Sequence, residues 1–200
     1  MVLRESPTVE TLTVLLVVFL AQSVAAVVGV EGYLFALAPP LLARPWTLVT
    51  NVYAHGSVPH LVGNGVALGA IGLAVERATT RVRFHVFFLL TGVLAAVVQV
   101  LIDGLVGAPT AVLGASGAVF GLVGYAVTGN ALVHRLVRRL RPDRTTLLAV
   151  GAFVVGAVVL VTAAPNVALV AHGVGFGAGL MAGHRRTLHA GSGRRLADRR

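Results

Sequence analysis

Six apolar segments divide this chain: roughly Leu12–Val30, Leu61–Val75, Phe84–Ile102, Ser116–Thr128, Leu147–Ala163 and Val167–Gly183. A helix needs about 20 mostly apolar residues to cross a hydrocarbon core, so these runs limit the fold to an all-α membrane protein. Composition agrees. Of the 200 residues, 56% are apolar and 12% charged, whereas a soluble domain carries about a quarter charged. The length leaves room for several spans but not for an added soluble domain. With no cysteine, disulfides and thiolate chemistry are excluded and the usual soft metal ligands are missing.

The net charge of +9 raises the question of a nucleic-acid partner, and the positions of the arginines answer it. Arg77, Arg81 and Arg83 lie between the second and third runs. Arg135, Arg138, Arg139, Arg141 and Arg144 follow the fourth, and Arg185, Arg186, Arg194, Arg195, Arg199 and Arg200 follow the sixth. Cytoplasmic loops hold the excess of basic residues. The pattern therefore fits orientation against anionic lipid without nucleic acid. Both termini are expected in the cytoplasm, with residues 1–11 and 184–200 as short tails around a six-span domain at 12–183. The first run is long, follows a single arginine and lacks a clear small-residue cleavage pattern, so no cleavable signal peptide is expected. The long loop Glu31–Pro59, with Trp46, Tyr33 and Tyr53, reads as an interfacial segment. Ala131–Arg141 reads as a basic amphipathic segment on the cytoplasmic surface. His85, His134, His184 and His189 lie at or near that face and carry no catalytic weight.

Three polar clusters interrupt the apolar pattern: His55/His60/Asn64, Gly114-Ala115-Ser116-Gly117, and Ala171-His172 followed by Gly175. Polar groups inside a bilayer are costly and mark functional sites. At 1.5 Å per residue, Ser116 lies about 20 Å from the helix stop at Gly129-Asn130, and His172 about 20 Å from Arg185. In a core about 30 Å thick both fall some 10 Å below the outer surface. Glycines at Gly117, Gly121 and Gly124 on one run, and at Gly175, Gly179 and Gly183 on the other, form small-residue stripes that let membrane helices pack closely. That approach would bring a hydroxyl to an imidazole.

A serine needs a base to become a nucleophile, and His172 can take its proton and return it to a leaving amine. No carboxylate in the last three runs can orient the imidazole, so the expected arrangement is a Ser116–His172 dyad and not a triad. Ser116 opens its helix, leaving its backbone N–H free for an oxyanion. His60 and Asn64, four residues apart and on one helix face, are candidate donors to the same oxyanion. His55 reads as a brace for the loop entering the second run. A zinc site built from His55, His60 and His172 is the metal alternative; it lacks a carboxylate or cysteine and leaves Ser116 unexplained. No metal and no cofactor is expected.

These clusters resemble the rhomboid family of intramembrane serine proteases from about Arg44 to Gly183. The family pattern is H-x4-H-x3-N, then G-x-S-G, then A-H-x2-G-x3-G. Here it falls on His55/His60/Asn64, on Gly114/Ser116/Gly117 and on Ala171/His172/Gly175/Gly179. Val75-Glu76-Arg77 also looks like the family segment closing the second span. Trp46-Thr47 keeps the tryptophan of the family's Trp-Arg pair but not the arginine. Phe120 stands where many members carry a tyrosine beneath the histidine. The resemblance implies a six-transmembrane-helix rhomboid-like bundle in the cell membrane that cleaves transmembrane protein substrates after a small residue. It also implies a lateral gate near the fifth span. Two alternatives remain: an inactive relative that binds membrane clients, and a small transporter using His60 and His172 as proton carriers.

Overall fold

A computed structural model describes residues 6–108, 110–129, 143, 145 and 168–189, and all of its long elements are helices. Three of these are long and apolar enough to cross a membrane: Pro7–Val27, Val58–Ala78 and Arg81–Leu105. In chain order the helices are α1 (Pro7–Val27), α2 (Glu31–Phe35), α3 (Thr47–Tyr53), α4 (Val58–Val75), α5 (Arg81–Leu105), α6 (Ser116–Gly129) and α7 (Leu169–His184). Short 3₁₀ turns at Leu41–Ala43 and Glu76–Ala78 join them. The expected segment Leu147–Ala163, the basic stretch Ala131–Arg141 and the loop Ala164–Asn166 lie outside the described residues.

Capping explains where the long helices begin. Ser6, Ser57 and Thr80 each accept a hydrogen bond from the backbone N–H three residues on, at Val9, His60 and Arg83. A side-chain oxygen at this position satisfies a donor that the first helical turn leaves free. Proline follows two of these caps, at Pro7 and Pro59, where its missing N–H costs nothing. The helices therefore start before the apolar runs: α1 at Pro7 and not Leu12, α4 at Val58 and not Leu61, α5 at Arg81 and not Phe84. The loop Glu31–Pro59 is partly helical, because α2, a 3₁₀ turn and α3 lie within it.

The buried centre is α6. Ala118, Leu122 and Tyr125 are fully covered, with Phe84 and Phe88 of α5 and Leu68 of α4 around them. α6 packs on α7 and on α5, while α1 packs on α4. The outer side of α1 is apolar and exposed at Leu16, Val17, Leu20, Val24 and Val27, which is the surface lipid would cover. Two contacts anchor the segment leading into α6. Leu37 and Val112 form an antiparallel bridge, each N–H donating to the other's carbonyl at 2.9 and 2.8 Å. The Gly114 N–H donates to the Asn51 carbonyl at 2.8 Å.

Candidate active site

Ser116 is the first residue of α6, and the two residues before it set its direction. Gly114 has φ +135°, and a Cβ there would lie 2.8 Å from His60 Cε1. Only glycine suits that backbone and that proximity to the imidazole. Ala115 is completely buried. The turn thus aims the serine side chain at α7.

The Ser116 Oγ lies 2.8 Å from His172 Nε2. With Oγ–H donating to Nε2, the imidazole proton resides on Nδ1. His172 is 7% exposed, and its ring stacks on Phe120 at 4.5 Å between centroids and 20° between planes. Phe120 supplies this stacking face one turn after Ser116. Three of the described acids are engaged elsewhere: Glu10 with Arg81 and His85, Glu76 with Ser6 and the Thr8 N–H, Asp103 with Gln99 and Thr110.

Backbone contact between α6 and α7 permits this pairing. A Cβ at Gly175 would land on the Gly117 carbonyl, one at Gly179 on the Gly121 carbonyl, and one at Gly124 on the Phe176 carbonyl. The stripe expected on α6 needs correction, however. Gly117 and Gly121 turn their Cα hydrogens toward α5, where a Cβ would meet Ala95 at 2.5 Å and Thr91 at 2.9 Å. The reason is that α6 is gripped from two sides. Its glycines make room for α5, and their carbonyls form the floor on which the glycines of α7 rest.

The α4 residues gather at the same end. The His60 ring rests against Gly114 and meets the His55 ring edge-on at 5.0 Å. Asn64 is buried, and its Nδ2 donates one hydrogen bond to the His60 carbonyl at 3.0 Å; an amide carries a second N–H. His55 is also held from the loop side. Its N–H donates to Gln22 Oε1 at 3.0 Å and its Nδ1 pairs with the Tyr53 carbonyl at 3.2 Å, tying the loop to α1. Among the described residues, His55, His60 and His172 do not form a group that could hold a metal ion.

Two buried glutamines escaped the sequence reading. Gln22 holds His55, and Gln99 Oε1 accepts from the Ala171 N–H at 2.9 Å. Each is a lone amide inside an apolar run, which is itself a signal.

Apolar spanning helices around a part-buried hydroxyl–imidazole pair define a multi-pass membrane protein with a polar centre in its interior. The chain belongs to the rhomboid family: the family model of the Rhomboid domain matches residues 42–187. It is also 35% identical over 79 residues to Rhomboid protease GluP of Bacillus subtilis (strain 168). That stretch covers 40% of this chain and 15% of the relative, so this chain spans a small part of that protein's length.

Proposed function

We propose that the chain is an intramembrane serine endopeptidase that cleaves transmembrane segments of other membrane proteins with a Ser116–His172 dyad. The observation that carries this reading is the 2.8 Å contact between Ser116 Oγ and His172 Nε2 inside the helical bundle. In the reaction, Oγ bonds to the scissile carbonyl carbon while its proton passes to Nε2. The carbonyl oxygen becomes an oxyanion, held by the Ser116 N–H, the His60 ring and the free N–H of the Asn64 amide. Collapse breaks the C–N bond, and His172 returns the proton to the departing amine. Water then bonds to the acyl carbon while its proton passes to His172, and collapse breaks the bond to Ser116 as His172 returns that proton to Oγ.

A substrate helix keeps its amides hydrogen-bonded and shielded, so it must unwind locally to be cut. Glycine-poor, stable helices are therefore poor substrates, and cleavage after a small residue in the outer part of a span fits the depth of Ser116. The arginine clusters support six spans with both termini in the cytoplasm of a cell-membrane protein. Nothing at the site favours an inactive client-binding relative, because nucleophile and base are both present and in contact.

The test is cleavage of a single-span substrate by the purified chain in liposomes. The expected result is a discrete cut that Ser116→Ala abolishes; cutting unchanged in that variant would contradict the proposal. Asn64→Ala should be milder. Loss of one oxyanion donor costs about 3–4 kcal/mol, on the order of 10²–10³ in kcat, so initial rates at saturating substrate should stay above the Ser116→Ala background.

A further inference from the structure

One ridge of α5 runs along the active centre. Thr91, Ala95 and Gln99 follow each other at four-residue steps, so they share a face. Thr91 meets Gly121 and Ala95 meets Gly117. Gln99 reaches past α6 to α7, where its Oε1 accepts from the Ala171 N–H. Ala171 lies in the first turn of α7, whose N–H groups have no acceptor within the helix. The cap residue Ala168 makes no side-chain bond. The cap of the helix carrying His172 thus comes from a neighbouring helix, at the residue immediately before His172.

Gln99 is itself held. Its Nε2 donates to Asp103 Oδ1 at 2.7 Å, which fixes the amide with its oxygen toward α7. The second carboxylate oxygen, Asp103 Oδ2, accepts from the Thr110 hydroxyl. Thr110 belongs to the segment that enters Ser116, the same segment pinned at Val112 and Gly114. Asp103 occupies the last turn of α5, where the negative end of the helix dipole disfavours a carboxylate. Its two bonds offset that cost, one toward each half of the dyad.

We propose that Asp103 and Gln99 are positioning residues: a carboxylate–amide clamp on α5 that sets how closely His172 approaches Ser116. This rests on the hydrolytic reading above. Without the clamp, the first turn of α7 loses its cap and the imidazole drifts from the hydroxyl. Small displacements of reacting groups reduce rates on the order of tenfold to a hundredfold. The loss falls on the chemical step, because neither residue is placed to touch substrate.

The experiment compares kcat, KM and the rate of Ser116 labelling by a fluorophosphonate in liposomes. The variants are Asp103→Leu, Gln99→Leu, Gln99→Glu and the double variant Gln99→Glu/Asp103→Asn, with thermal melting as the check on folding. The leucine variants should lower kcat on the order of tenfold to a hundredfold at unchanged KM and slow labelling equally. Gln99→Glu sets two carboxylates against each other and should also be slow. Adding Asp103→Asn should restore it, since the amide at 103 then donates to the carboxylate at 99. If Asp103→Leu does not fold, this rescue decides the matter. Wild-type kcat or labelling rate in a folded Asp103→Leu protein, a loss confined to KM, or a double variant no better than Gln99→Glu would overturn the clamp. A wild-type chain that does not label at Ser116 would overturn the hydrolytic reading and the clamp with it.

Discussion

Ser116→Ala and His172→Ala are each expected to lower kcat for transmembrane cleavage on the order of 10⁴-fold or more, to the floor of the assay. The first removes the attacking oxygen. The second leaves the hydroxyl with no acceptor at the 2.8 Å position now held by Nε2. Because the two groups act on one proton, the double variant should be no worse than either single one. Both changes shorten a side chain without adding bulk, so the protein should fold. Melting temperatures near wild type, measured beside the rates, would separate lost chemistry from lost structure. A double variant much slower than both singles would mean the two residues act independently.

Gly175→Val is the second large effect, and it acts on structure. The three atoms nearest a Cβ at 175 are the oxygen, carbon and Cα of Gly117, all backbone, so no side chain can swing aside. α7 must move off α6, and it carries His172 away from Ser116. Overpacking of this kind costs about 1–3 kcal/mol and sometimes more, and activity should disappear along with stability. Among the described residues, nothing lies within 4 Å of such a Cβ at Gly173 or Gly177 on the same helix. Gly173→Ala should therefore leave activity intact and gain up to about 1 kcal/mol from helix propensity. Unfolding midpoints in detergent for the two variants would check the contrast; equal effects at 173 and 175 would contradict the backbone contact.

Much of this was legible from residue pattern. The apolar runs located α1, α4, α5, α6 and α7, because burial in lipid demands long uncharged stretches. Their starts were misjudged because Ser6, Ser57 and Thr80 extend helices beyond the apolar residues through capping bonds. Helix rise alone led to the expectation that Ser116 and His172 share a depth, and their side chains lie 2.8 Å apart. The direction of the α6 glycines did not follow. Spacing reports which residues share a face, but not which neighbour that face meets, and α5 competes with α7 for it. Gln99 and Asp103 were passed over because their importance lies in partners distant in sequence, at Ala171 and Thr110. The expectations on the fifth run concern residues outside those described.

The account stands on a hydroxyl made nucleophilic by the imidazole beside it. Its most direct test is the intact mass of the wild-type and His172→Ala proteins after exposure to a fluorophosphonate in bilayers. One adduct, mapped to Ser116 in the wild type and lost in His172→Ala, is the result expected. Equal labelling with and without His172, or no adduct on Ser116 in a preparation that still cuts its substrate, would contradict it.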